Sequence, residues 1–138
     1  MKLLCELVQR YGPLVARVLL AQVFLITGVT QMLFFAKTST FMFNRGMPMP
    51  DVLLAAAILL QVAGGCLLVA GYKVRWVAAA FAVFTIIATF VFHPFWAVEV
   101  GRFANELNNF MKNLALMGGL IYVMAYGPGP LSVDGERA

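Results

Sequence analysis

Nothing constrains this chain more than its apolar runs. Four stand out, residues 14–35, 52–72, 74–96 and 110–126. Each has roughly the 17–25 residues that a helix needs to cross a hydrocarbon core. Closed β-barrels are the other way to span a bilayer, and their strands alternate polar with apolar residues. Stretches such as "VAAAFAVFTIIATFVF" show no alternation. The pattern predicts an all-α integral membrane protein, a single domain over 1–138 built as a four-helix bundle.

Composition agrees. Of the 138 residues 62% are apolar and only 12% charged, against about a quarter charged in a soluble domain. Too few polar side chains remain to cover a water-facing surface. The net charge of +4 is dispersed among the apolar runs rather than gathered on one face, which argues against nucleic acid and for topology signals beside anionic headgroups. Counting Lys and Arg outside the spans, the termini and the 72–76 turn carry Lys2, Arg10, Lys73, Arg75 and Arg137. The other side carries Lys37, Arg45 and Arg102. The excess favours both termini in the cytoplasm. Lys2 and Arg10 before an apolar run resemble a signal peptide, but the run is longer than such peptides use and lacks a small-residue cleavage site, so it is read as a retained anchor.

The connections differ in kind. Residues 37–51, "KTSTFMFNRGMPMPD", read as a long loop with a turn at Asn-Arg-Gly, "YKVRW" as a tight turn and "AVEVGRFANEL" as a mixed-charge link. Trp76 and Trp96 bracket the third run, about 30 Å apart on a helix, one at each interface. "GGCLLVAGY" and "GGLIYVMAY" share a Gly pair and a closing Tyr at equal offsets. That echo is compatible with two parallel helix hairpins. Gly pairs such as Gly64–Gly65 and Gly118–Gly119 also recur wherever membrane helices approach closely.

The polar residues inside the spans are the informative ones. Arg17 falls in the first turn of the first span, Gln31 near its outer end, and Gln61 near the middle of the second. Thr85, Thr89 and His93 recur every four residues on one face of the third. Asn105, Asn109 and Lys112 share a face at the start of the fourth, with Asn113 beside Asn109. Gln31, His93, Asn109, Lys112 and Asn113 all fall in the outer third, where a bundle brings them together. Each has a structural reading as well: Lys112 snorkelling to headgroups, His93 in a turn forced by Pro94, Arg17 anchoring the cytoplasmic side, Gln and Thr bonding between helices. Collectively they default to function, because ionisable groups cost about 2.5–3.5 kcal/mol at depth. Met42, Met47 and Met49 are soft thioethers without a nearby Cys or His, and no metal site is assigned.

The order "R-x6-FLITG-x2-Q", "LLQVAGG-x5-G", "FH-x-FW" and "MKNLALMGG" to "GPG" resembles the DoxX family of small bacterial four-helix membrane proteins, from about Arg17 to Asp134. Arg17, Gly28, Gly64, Gly65, His93, Lys112, Asn113, Gly118 and Gly119 match its pattern. Two positions depart: the family usually has Lys at Gln31 and Glu at Gln61. Losing one partner alone would strand a charge, whereas two amides keep a hydrogen-bonding pair. The resemblance implies a bacterial inner-membrane component of a quinone- or quinol-linked oxidoreductase system.

Sequence limits that chemistry. One histidine cannot supply bis-imidazole haem ligation, Cys5 and Cys66 cannot hold an iron–sulfur cluster, and no dinucleotide fingerprint occurs. The expectation is therefore no intrinsic cofactor, a quinone as diffusible ligand, and an electron carrier in a partner subunit. Lys112, Asn113, His93, Asn109, Gln31 and Gln61 are the candidate ligand-binding residues, with His93 and Lys112 the candidates for catalysis. Arg17, Gly28, Gly64, Gly65, Gly118 and Gly119 are assigned to structure and topology. Membrane lipid, a redox subunit and a second copy of the chain are the expected partners. A standalone enzyme is disfavoured by the short loops. The competing reading is a non-catalytic scaffold, cargo or lipid binder, or small carrier.

Overall fold

The computed structural model describes residues 1–135; Arg137, counted above among the topology signals, lies outside them. The regular elements are all helical: α1 (Lys2–Leu33), α2 (Phe35–Asn44), α3 (Pro50–Ala70), α4 (Val74–Phe92), a 3-10 turn (Phe95–Ala97) and α5 (Val100–Tyr126). α1 packs mainly along α3, and α4 along α5, while α3 meets α4 to join the two pairs.

The shared core is small: Ala21, Phe24, Leu68, Val74, Val77, Ala78, Phe81, Leu120 and Val123. At its centre Phe24 stacks on Phe81, with ring centroids 3.7 Å apart. Close approach there depends on α3 glycines, since a Cβ would come within 2.9 Å of Phe81 at Gly64 and 2.6 Å of Leu25 at Gly65. Gly28 and Gly119 face Gln61 and Leu20 in the same way, but Gly118 has open space beside it. It is not a contact glycine, so the two Gly pairs of the sequence echo are not equivalent in packing.

Burial is inverted relative to a water-soluble protein. Ile26, Leu59 and Val83 are 65%, 69% and 59% exposed, while Arg17 and Gln61 are each 1% exposed. A surface of bare aliphatic side chains around polar groups suits hydrocarbon. Among the described residues, three helices are long and apolar enough to cross it: Lys2–Leu33, Pro50–Ala70 and Val74–Ala97. α5 is long but mixed, because its first half carries Arg102, Asn105, Glu106, Asn109, Lys112 and Asn113.

Four expectations are corrected. Residues 37–51 are not a long loop: most are α2, which begins just after a hinge at Phe34. The Asn-Arg-Gly signal stops this helix, with Gly46 N–H donating to Phe43 O and Met47 N–H to Met42 O in the pattern of a helix C-terminus closed by glycine. α1 starts at Lys2 rather than near residue 14 and runs through Pro13, so Arg17 lies mid-helix and not in a first turn. α5 begins at Val100, three turns before Lys112, so the cation does not open the helix. α4 ends at Phe92, before the expected 96, with His93 leaving the helix ahead of Pro94 as the proline's sterics require.

Candidate functional site

Two polar systems cross the interior. One sits at the end of the bundle carrying the α3–α4 turn. Arg17, buried in α1, donates from Nη1 to Val69 O at 2.9 Å and Leu68 O at 3.3 Å, and from Nη2 to Leu131 O. Helix ends leave four carbonyls without intrahelical partners. At the end of α3 all four are taken: Leu67 by Gly71 and Tyr72 N–H, Leu68 and Val69 by Arg17, Ala70 by Val133 N–H. The segment after α5 is thereby stitched over the turn, and Asp134 accepts from Lys73 N–H. Arg17 is therefore an internal clamp and not the headgroup anchor considered from sequence. A cavity of about 600 Å³ at this end is lined by Lys73, Arg75, Trp76, Tyr126 and the tail. None of the candidate ligand-binding residues reaches it.

The second system lies at the other end. A cavity of about 500 Å³ is lined by Val23 of α1, His93 at the end of α4, and Asn109, Lys112, Asn113 and Leu116 of α5. Its size suits a small organic ring system. Four of the residues singled out by sequence thus share one space. Their spacing explains it: Asn109, Lys112, Asn113 and Leu116 follow the i, i+3, i+4, i+7 rule and form one stripe. Pro94 stops α4 where its last side chain faces that stripe. Lys112 is exposed along the cavity's edge. Gln31 and Gln61 do not line it. They hydrogen-bond to each other instead, Gln61 Nε2 donating to Gln31 Oε1 at 2.7 Å, and Gln61 also donates to Ala57 O. The two amides stand where the resemblance put an ion pair, and the apparent difference in depth does not separate them. Asn105 is exposed and does not line the cavity.

Behind the cavity wall the hydrogen bonds are directional. Thr89 Oγ1 donates to Thr85 O at 2.6 Å, so it can only accept from Asn113, whose Nδ2 lies 3.0 Å away. Thr85 Oγ1 is buried with no partner among the described residues.

The residue that sequence reasoning missed is Glu106. It is 5% exposed, with Oε2 2.8 Å from His93 Nδ1 and Oε1 3.0 Å from Arg102 Nη2. Glu106 lies just before the apolar run 110–126. The hydrogen bond from His93 pulls its carboxyl below the ordinary value, outweighing burial, which pushes it up, and Arg102 adds to the lowering. The available signal was spacing: Arg102 and Glu106 are an i, i+4 pair. The link to His93 spans the 3-10 turn and needed the fold. An aromatic cluster of Phe90, Phe95, Trp96, Phe103 and Phe110 packs around that turn.

The DoxX family profile matches residues 12–94. Inner membrane protein YqjF of Escherichia coli K12 is 34% identical over 125 residues, covering 89% of each chain. Inner membrane protein YphA of the same organism is 29% identical over 121 residues, covering 88% of this chain and 86% of its own. A surfeit locus protein 4 homolog of Schizosaccharomyces pombe is 30% identical over 81 residues, 57% of this chain but 27% of that protein. No solved structure matches. On the family match and the near full-length similarity to YqjF, this chain belongs to the DoxX family.

Proposed function

We propose that this protein binds the headgroup of a quinone, or of a lipophilic molecule of similar chemistry, in the cavity between α1, α4 and α5, as a component of a membrane redox system. The observation that carries the reading is the cavity's make-up. His93, Asn109, Lys112 and Asn113 gather on one side of an otherwise aliphatic space bounded by Val23 and Leu116. An apolar slot with a few convergent polar groups favours a flat lipophilic ring bearing oxygens. With one histidine and two distant cysteines, the chain leaves the electron carrier to the quinone or to a partner subunit.

In this reading α5 completes a four-span bundle, since it packs along α4 and its residues 110–126 are about 25 Å long. The relatives from E. coli are named as inner membrane proteins, and that membrane is the proposed location. Both termini face the cytoplasm by the distribution of Lys and Arg, which puts the cavity near the outer interface.

The test is direct. Protein purified in lipid nanodiscs is expected to bind decylubiquinone or its quinol, and Lys112→Met and His93→Ala to weaken binding of the preferred form about tenfold each, the loss of one hydrogen bond to a charged or polar group. Native extracts are expected to carry quinone. Unchanged binding in both variants, with only phospholipid in the extract, would favour the scaffold or lipid-binder reading instead.

A further inference from the structure

The hydrogen bonds behind the cavity decide more than its location. Glu106 presents carboxylate oxygens, which only accept, so a neutral His93 facing Oε2 must carry its proton on Nδ1. Nε2 is then a bare lone pair, and it makes no hydrogen bond among the described residues. Asn113 is fixed by the same logic. Its Nδ2 is committed to Thr89, which leaves Oδ1 as a second acceptor without a partner among the described residues. Both residues line the cavity. The site therefore offers two acceptors, set by groups outside it, beside the donors Lys112, Asn109 and the second N–H of Asn113.

A quinone has carbonyl oxygens only and leaves both acceptors facing acceptors. We propose that this site selects the hydroxyl form of its ligand, a hydroquinone-type ring, whose O–H donates to His93 Nε2 or Asn113 Oδ1 while Lys112 donates to the other oxygen. This rests on the reading of the cavity as a quinone-type site and names the form it takes. Glu106 is a positioning residue: it touches no ligand and acts by holding the imidazole in one tautomer. Arg102 positions Glu106 in turn by occupying Oε1.

That last contact makes a sharp test. In Glu106→Gln, the Arg102 guanidinium beside Oε1 favours the new amide's oxygen over its NH₂ at that position, which turns the NH₂ toward His93. Nδ1 must then accept, and the imidazole proton moves to Nε2. The acceptor facing the cavity becomes a donor.

Binding of decylubiquinol and decylubiquinone is measured under argon in nanodiscs at pH 8.5. Wild type is expected to prefer the quinol by about tenfold or more, the discrimination a site shows for a hydroxyl it is built to bond. In Glu106→Gln the preference is expected to shrink to parity or reverse. A measurement that needs no variant accompanies it. His93 is the single histidine, so ¹⁵N-histidine labelling reads its tautomer directly in the wild-type protein, with Nδ1–H expected. Equal binding of quinol and quinone by wild type overturns the inference while the binding site stands. So does a ¹⁵N signature of the Nε2–H tautomer or of an imidazolium at that pH. If neither probe binds, the proposed function fails and takes this inference with it.

Discussion

Arg17 offers the clearest test of the packing argument. Arg17→Met keeps the aliphatic stem but removes every donor. Three carbonyls lose a partner. Leu131 lies on the tail and can turn toward water, whereas Leu68 and Val69 belong to the last turn of α3 and cannot. A buried carbonyl left unpaired costs about 1–3 kcal/mol, so the two together cost about 4 kcal/mol. Against this, the native guanidinium keeps its own Nε buried without a partner, and removing it recovers about 1 kcal/mol. The expected net loss is about 3 kcal/mol, a factor of roughly 150 in the unfolding equilibrium. Unfolding in mixed micelles under an SDS titration, followed by the fluorescence of Trp76 and Trp96, measures it. Arg17→Lys should fall in between, because one ammonium keeps the charge beside the negative end of α3 without the two-pronged reach. A Met variant within about 1 kcal/mol of wild type would show that these bonds are exchanged for others, and the clamp would not be what holds the tail on the turn.

Further outcomes follow from the same geometry. Gln31→Lys or Gln61→Glu alone should destabilise the bundle by about 3 kcal/mol, and the double variant should recover most of it, because their side chains already meet at 2.7 Å; a double-mutant cycle in the same unfolding assay reads this. Acid should weaken the fold through Glu106. Its folded-state pKa lies below the ordinary value, so its stabilisation is complete above the unfolded value of about 4.3 and is lost as pH falls through the lower folded value. Wild type should thus lose stability below about pH 4 relative to Glu106→Gln, and parallel curves would discount the His93–Glu106 pair. Gly71→Ala should cost well over 1 kcal/mol, since Gly71 has φ +77 and a Cβ there would lie 2.2 Å from Arg17 Nη1 and 2.3 Å from Ser132 Cβ. A variant with wild-type thermal stability would contradict that crowding.

Much of this was legible in the chain itself. Long runs without alternation can satisfy their backbone in lipid only as helices, so the helical class and three of its spans were determined by local chemistry. The stripe of Asn109, Lys112, Asn113 and Leu116 was equally readable, because helical spacing alone puts these residues on one face. Pro94 announced the end of α4 before His93 could continue it.

What one-dimensional pattern does not contain is which polar group meets which. Residues 37–51 read as loop because two prolines and a glycine dominate the segment, while α2 is held by packing on α3 that no spacing rule reports. Arg17 looked like an interfacial anchor because its three acceptors, Leu68, Val69 and Leu131, are supplied by backbone some 50 to 110 residues away. Glu106 drew no reading from its spacing, because only the fold brings His93 onto it across the 3-10 turn. In each case the missing quantity was a distance across the bundle. A buried charge is tolerated only where partners arrive from other helices, and only the tertiary structure decides where they do.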